Sequence, residues 1–141
     1  MNRRLLLVDE DVAKLELLSF ILCPPPSEAK PIHEPFIVVL AGNKEVAVDH
    51  VKRSLALKLP FAGAFVDVGG PATGTDTLIR LRNLDPQIQL VAMTTEHAAQ
   101  NVGWDLLATP FTETQILQKA HQLISRWEIQ RRDSEPKRRA K

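Results

Sequence analysis

The sequence has no tyrosine, a single cysteine and few aromatic residues of any kind. Cys23 cannot form an internal disulfide, which excludes a disulfide-stapled scaffold and fits a reducing cytosol. No apolar run approaches the roughly 20 residues that a membrane-spanning helix needs, and the basic N-terminus lacks the apolar stretch of a signal peptide. The net charge of +1 gives no overall attraction to nucleic acid or membranes. We therefore expect a cytoplasmic protein.

Continuous apolar runs, rather than alternating ones, define the predicted strands. Five such runs occur, at residues 5–8, 36–40, 63–68, 88–93 and 105–108. Runs of this length are typical of strands buried on both faces, as in parallel sheets. Helical spacing of apolar residues fills the first intervals, at residues 11–22, 44–58 and 73–84. Because strands alternate with helices, we predict an α/β fold with a parallel sheet between two layers of helices.

The last helix has the clearest start signal. Thr112 and Gln115 have the spacing of a capping box, and an apolar stripe follows them. We assign residues 1–128 to one domain, and residues 129–141 to the end of this helix and a basic tail or linker. Residues 131–141 carry six basic and two acidic side chains. Such a charge run is typical of a solvated tail, and we expect no nucleic-acid binding through the domain.

Proline is concentrated in one connection. Residues 23–35 contain five of the ten prolines, three of them consecutive, which predicts a stiff, extended segment. This insertion joins the first helix to the second strand. Loops that lead from a helix to the next strand lie at the amino ends of parallel strands, whereas ligand sites lie at the carboxyl ends. We therefore expect the insertion to lie away from any active site.

Polar residues follow three of the predicted strands at their carboxyl ends. Asp9 and Glu10 follow the first strand, Asp67 follows the third and Thr94 follows the fourth. Acidic groups at one edge of a sheet repel each other, and a hard divalent cation relieves the repulsion. Mg²⁺ prefers one or two carboxylates together with water and a phosphate oxygen. A carboxylate beside such an ion can attack a phosphoryl group and become an aspartyl-phosphate.

These segments resemble the response-regulator receiver domains of two-component signalling over roughly residues 3–128. The first strand and acidic pair are matched by LLLVDED, and the third strand with its acceptor by FVDVGGP. The next helix and fourth strand are matched by TLIRLRNLDPQIQLVAMT, and the fifth strand by GWDLLATPFT. The resemblance implies a doubly wound, flavodoxin-like three-layer sandwich with five parallel strands in the order 2-1-3-4-5.

The resemblance also implies roles for individual residues. Asp67 matches the phospho-acceptor, and Asp9 and Glu10 match the acidic pair that binds Mg²⁺. The backbone carbonyl of Gly69 matches the third protein ligand of the metal. Thr94 matches the hydroxyl that follows the phosphoryl group when the domain switches.

The chain departs from the family pattern at several positions. Thr109 stands where the family has a lysine, and Leu106 stands where it has the switch aromatic. Only seven residues separate Thr95 from Gly103, which leaves a fourth helix of two turns at most. The resemblance implies a cis peptide bond before Pro110. With no lysine expected to compensate the carboxylates, we predict that the cation is required and that switching is weakened.

The predicted function is therefore that of an atypical receiver that takes a phosphoryl group onto Asp67. Its partner would be a sensor histidine kinase or a phosphotransfer protein, and a homodimer is a further option. No enzymatic activity is expected beyond phosphorylation and dephosphorylation of its own Asp67. The alternative is an interaction module with the same fold that works without phosphorylation, using an exposed Trp104 and the final helix as its surface.

A small phosphatase is a third hypothesis. The run from Leu5 to Val12 also resembles the first motif of haloacid-dehalogenase-like phosphatases, with Asp9 as nucleophile and Asp11 as general acid and base. This hypothesis uses Thr94 to bind phosphate and leaves Asp67 without a role. Structural roles remain open beside all three functions, because Asp9 and Asp11 could be a helix N-cap and its neighbour, and Thr94 could cap the next helix.

Overall fold

Nine elements alternate along the chain in the computed structural model, which describes residues 2–24, 35–68, 73–94 and 104–134. The strands are β1 (Arg4–Val8), β2 (Ile37–Ala41), β3 (Gly63–Asp67), β4 (Gln89–Thr94) and β5 (Asp105–Ala108). The helices are α1 (Val12–Leu22), α2 (Lys44–Ala56), α3 (Thr73–Leu84) and α4 (Glu113–Ser134). The strands form one sheet in the order β2-β1-β3-β4-β5, with every neighbouring pair parallel. The predicted fold class and strand order are confirmed.

Two apolar clusters cover the two faces of the sheet. One contains the inward faces of α1 and α4 together with alternate residues of the strands, such as Phe65 and Met93. The other contains the inward faces of α2 and α3 with the intervening strand residues, such as Val66 and Ala92. All six residues of β4 are buried, which is why the strands read as continuous apolar runs rather than alternating ones.

Side-chain caps determine where the helices begin. The Thr112 N–H donates to Gln115 Oε1 at 2.8 Å, and the Gln115 N–H donates to Thr112 Oγ1 at 3.2 Å. This reciprocal pair is the predicted capping box, and α4 begins one residue after Thr112. Asn43 caps α2 through a hydrogen bond from the Val46 N–H.

Several predicted boundaries shift by one or two residues, and two of these shifts have a local reason. The N–H of Phe36 donates to the carbonyl of Leu22 at 3.1 Å, so Phe36 is bonded to the end of α1 and β2 begins at Ile37. Helix α2 ends at Ala56 rather than at residue 58, because Lys58 has a φ of 57°. This left-handed conformation cannot continue a right-handed helix.

Two expectations concern segments outside the described residues. These are the placement of the proline-rich insertion, of which residues 25–34 are not described, and the short fourth helix between residues 95 and 103. Within the described ranges, none of the helices combines the length and the apolar character that crossing a membrane requires.

Gly63 marks a close approach between β3 and two neighbours, and it yields a stability prediction. A Cβ built on Gly63 would lie 2.9 Å from the carbonyl oxygen of Gln89 and 2.8 Å from Leu123 Cδ1. The backbone oxygen belongs to the sheet, so moving it would disturb the hydrogen bonding between strands. We expect Gly63→Ala to lower the free energy of unfolding by about 1–3 kcal/mol, measured by urea denaturation.

Gly42→Ala is the matched control for this prediction. A Cβ on Gly42 would meet nothing within 4 Å. Alanine there should leave stability unchanged or raise it by about 0.4–1 kcal/mol, because it restricts the unfolded chain. Equal effects of the two substitutions would contradict the packing argument.

Candidate functional site

The register of the sheet places Asp9 and Asp67 side by side. Val8 in β1 pairs with Val66 in β3. Asp9 follows Val8, and Asp67 follows Val66. Both carboxylates therefore lie at the carboxyl edge of adjacent central strands. Asp9 is buried, with 4% of its surface exposed, whereas Asp67 is partly exposed. Of the two, Asp67 is the carboxylate that a partner molecule can reach.

Lys14 lies between these two carboxylates. Its Nζ is 3.0 Å from Asp9 Oδ2 and 3.4 Å from Asp67 Oδ1. The contact with Asp67 has the geometry of a long hydrogen bond, whereas the contact with Asp9 is an ion pair without hydrogen-bond direction. The expectation that no lysine compensates these carboxylates is wrong. The ammonium comes from α1 instead of from the end of β5.

The sequence contains a signal for Lys14 that lies outside the strand-end motifs. Lys14 is in the first turn of α1, and no acidic residue occurs in that turn. A cation is disfavoured there because the amino end of a helix carries partial positive charge. A lysine in that position, one turn after an acidic strand end, indicates a carboxylate partner from elsewhere in the fold.

The loop before α1 holds Asp9 and Asp11 in different roles. Asp9 Oδ1 accepts a hydrogen bond from the Asp11 N–H at 2.9 Å. Asp11 is the N-cap of α1, and its Oδ1 accepts from the N–H groups of Ala13 and Lys14. The capping role that the sequence left open is thus the one Asp11 has. The cap uses one oxygen of the carboxylate, so it gives Asp11 a structural role with or without the phosphatase chemistry.

The other two proposed metal ligands are Glu10 and Gly69. Glu10 follows Asp9 and is exposed, and Gly69 lies outside the described residues. Across the described parts of the chain, no three acidic, histidine or cysteine side chains are grouped closely enough to hold a metal ion. Two carboxylates, Asp9 and Asp67, are nevertheless brought together. Asp9 Oδ2 is buried without a hydrogen-bond donor, which is the kind of oxygen that a hard cation uses.

Thr94 and Thr109 lie at the same edge of the sheet, beyond Asp67. Thr94 is the last residue of β4 and is buried. The Thr109 N–H donates to the carbonyl of Thr94 at 2.9 Å. The peptide bond between Thr109 and Pro110 is cis, as the resemblance implied. Asp9, Asp67, Thr94 and Thr109 therefore follow or end four neighbouring strands along this edge.

Comparison with solved structures identifies the architecture. A response-regulator receiver domain protein from Methanospirillum hungatei aligns over 92% of this chain and 99% of its own, with a TM-score of 0.73 and 21% identity. A receiver protein from Sinorhizobium medicae aligns over 88% and 95%, with a TM-score of 0.67 and 20% identity. The chain has the receiver-domain fold. The match covers nearly the full length of both receivers.

A third similar structure contains a ligand. It is the CheX–CheY–BeF₃–Mg²⁺ complex from Borrelia burgdorferi, which aligns over 85% of this chain and 87% of its own, with a TM-score of 0.68 and 19% identity. No protein-family model matches the sequence, and no curated protein sequence matches it. The receiver architecture is thus evident from the structure at an identity where sequence comparison finds nothing.

The receiver fold also locates the departures from the family pattern. Leu106 is partly buried in β5 and packs against the cluster under α2 and α3. Trp104, expected to be exposed, is partly buried against the same cluster, because the sheet places residue 104 directly before β5 and under that helix layer. Trp104 is therefore unsuited as the centre of a docking surface.

Proposed function

We propose that this chain is an atypical receiver that accepts a phosphoryl group on Asp67. The observation that carries the proposal is the position of Asp67. It is a partly exposed carboxylate at the carboxyl end of the central strand β3, beside the buried Asp9. The receiver fold, shared over nearly the whole chain with proteins of that kind, supports the same role. The resulting function is signal transduction rather than turnover of a substrate.

Phosphoryl transfer to Asp67 requires a nucleophile and a leaving group. An oxygen of Asp67 attacks the phosphorus of a phosphohistidine or of a small acyl phosphate. A bond from phosphorus to the aspartate oxygen forms, the bond to the imidazole nitrogen or acyl oxygen breaks, and the electron pair leaves with that group. Asp9 cannot take this role because its carboxylate is buried.

The carboxylates present fit a magnesium ion. Asp9 and Asp67 would hold it, with Glu10 and the carbonyl of Gly69 as the further ligands that the receiver resemblance implies. Mg²⁺ commonly uses one or two carboxylates and completes its shell with water and phosphate oxygens. When bound, the ion would neutralise charge on the transferring phosphoryl group. The CheX–CheY–BeF₃–Mg²⁺ complex from Borrelia burgdorferi, which has a similar fold, supports the choice of Mg²⁺.

Switching after phosphorylation should be weaker than in receivers with the usual residues. A lysine at the Thr109 position would make a charge-assisted contact worth about 1.5–3 kcal/mol, against about 0.5–1.5 kcal/mol for a neutral hydroxyl. Leu106 has no aromatic ring to change its position. Thr94 retains the hydroxyl expected to follow the phosphoryl group. We propose a sensor histidine kinase or phosphotransfer protein as the donor in the cytoplasm, with a homodimer as a further option.

The test is phosphorylation of the purified chain with acetyl phosphate and Mg²⁺. Wild type should gain the mass of one phosphoryl group, and Asp67→Asn should lose this gain completely because the amide is not a nucleophile. Asp76→Asn is the matched control, since Asp76 is an exposed aspartate on α3, and it should react like wild type. Unchanged reaction in Asp67→Asn would refute the assignment.

One observation favours an interaction module as the second candidate. Lys14 already neutralises part of the pocket charge, so the fold does not depend on a metal or a phosphoryl group for electrostatic balance. A folded wild type that never reacts with acetyl phosphate would favour this module. Hydrolysis of a simple phosphomonoester, lost in Asp9→Asn and kept in Asp67→Asn, would instead favour the phosphatase hypothesis.

A further inference from the structure

We propose that the Lys14 ammonium is the resident cation of the pocket formed by Asp9 and Asp67, and that it competes with Mg²⁺ for these carboxylates. The inference rests on the proposed function in taking Mg²⁺ as the ion that the pocket would otherwise bind. It assigns Lys14 a role that regulates cation binding. The sequence motifs did not include this residue.

The contacts of Lys14 differ from those of an ordinary surface lysine. Its Nζ contacts two carboxylates at once, at 3.0 Å and 3.4 Å, from residues that are far apart in the chain. The side chain of Asp9 is only 2% exposed and that of Lys14 is 23% exposed. Surface ion pairs are screened by water and contribute little, but a buried carboxylate that loses its partner remains as an uncompensated charge.

The backbone around Lys14 holds it in this position. Asp11 accepts a hydrogen bond from the Lys14 N–H at 3.3 Å, and the N–H of Leu15 donates to the carbonyl of Asp11 at 3.0 Å. These bonds fix the first turn of α1 relative to the loop that carries Asp9. The ammonium thus reaches the carboxylates from a rigid element. The amino end of a helix disfavours a cation, so the attraction must come from the two aspartates.

The location of the ammonium determines its effect on a metal ion. Asp9 Oδ2, the buried oxygen nearest to the ammonium, accepts no hydrogen bond. It is the oxygen that a divalent cation would use, so the ion and the ammonium cannot approach it together without strong repulsion. Lys14 must move away before the metal binds. The chain should therefore bind divalent cations more weakly than two adjacent carboxylates alone would.

The first experiment measures Mn²⁺ binding by electron paramagnetic resonance, with the metal alone as the probe. Lys14→Met removes the charge and keeps a side chain of similar length, and we expect its dissociation constant for Mn²⁺ to fall at least tenfold below that of wild type. Lys52→Met is the matched control, because Lys52 is exposed on α2, and it should bind like wild type. Equal affinity of wild type and Lys14→Met would overturn the proposal.

A second variant separates charge from shape. Lys14→Arg keeps the positive charge and should retain the weak Mn²⁺ binding of wild type. If Lys14→Arg bound Mn²⁺ as tightly as Lys14→Met, the loss of charge could not be the cause and the proposal would fail. This comparison remains informative if Lys14→Met does not fold, because Lys14→Gln can then serve as the uncharged variant.

Thermal unfolding supplies a readout that involves no phosphoryl donor. In the presence of a chelator, Lys14→Met should melt several degrees below wild type, because Asp9 then lacks a cation. Added Mg²⁺ should raise the melting temperature of Lys14→Met more than that of wild type. Equal shifts would contradict the proposal. These results do not depend on whether Asp67 is phosphorylated, so a failure of the proposed function is distinguishable from a failure of this inference.

Discussion

Truncation of Phe65 to alanine is expected to lower the free energy of unfolding by about 3–5 kcal/mol, the range typical of a phenylalanine removed from a packed core. Phe65 is completely buried in the middle of β3. Its Cα partners in the sheet are Leu7 and Val91, and it belongs to the cluster that joins the sheet to α1 and α4. The cavity would lie where strands and helices meet, where the backbone has little freedom to collapse.

Phe20→Ala is the control for this prediction. Phe20 is on the same chain and has the same side chain, but it is 60% exposed on α1. Removal of an exposed ring should change the free energy of unfolding by no more than about 0.5 kcal/mol. Urea denaturation followed by circular dichroism measures both variants. Similar losses at the two positions would show that the packing of Phe65 is not what stabilises the domain.

Moving the pocket lysine from α1 to the end of β5 is expected to tighten beryllofluoride binding in the presence of Mg²⁺ by about tenfold or more. The variant is Lys14→Met combined with Thr109→Lys. It clears the two carboxylates and adds a cation at the place where the receiver resemblance implies one. A charge-assisted contact exceeds a neutral one by about 1 kcal/mol. Removing the ammonium from the two carboxylates also favours Mg²⁺ binding. Together these effects should reach the roughly 1.4 kcal/mol that corresponds to a tenfold gain in affinity.

The matched comparison keeps the net charge constant. Lys52→Met combined with Thr109→Lys has the same charge as the relocated variant but leaves Lys14 between the carboxylates. This comparison variant should gain less affinity for beryllofluoride than the relocated variant. Isothermal titration calorimetry measures the affinity of each double variant for beryllofluoride. Equal affinities of the two double variants would mean that Lys14 does not obstruct the site.

The electrostatics of this edge distinguish the chain from a receiver with the usual lysine. In this fold a cation at the end of β5 would approach Asp67 from the side of Thr94. Here the ammonium approaches from α1, on the side of Asp9. A phosphoryl group on Asp67 would consequently interact first with the helix that follows β1. This arrangement gives a physical reason to expect weak coupling to β5 and a change centred on α1.

Composition and periodicity by themselves determined the fold class. Strands buried on both faces must be apolar throughout, so their runs are visible in the sequence, and the residues between them repeat at helical spacing. The capping box at Thr112 and Gln115 was equally visible, because a cap is a local interaction. The family resemblance supplied the strand order, and the order of the strand ends then indicated that Asp9 and Asp67 would lie together.

Only the tertiary structure decided the charge balance of the pocket. Lys14 meets Asp67 across the junction of α1 with the sheet, and contacts between residues so far apart in the chain depend on how that helix packs. The partial burial of Trp104 and the close approach of Gly63 to Gln89 and Leu123 have the same origin. Periodicity reports which residues are inside, because burial leaves an apolar pattern. It cannot report which partner a charged side chain reaches, because that depends on three-dimensional distance alone.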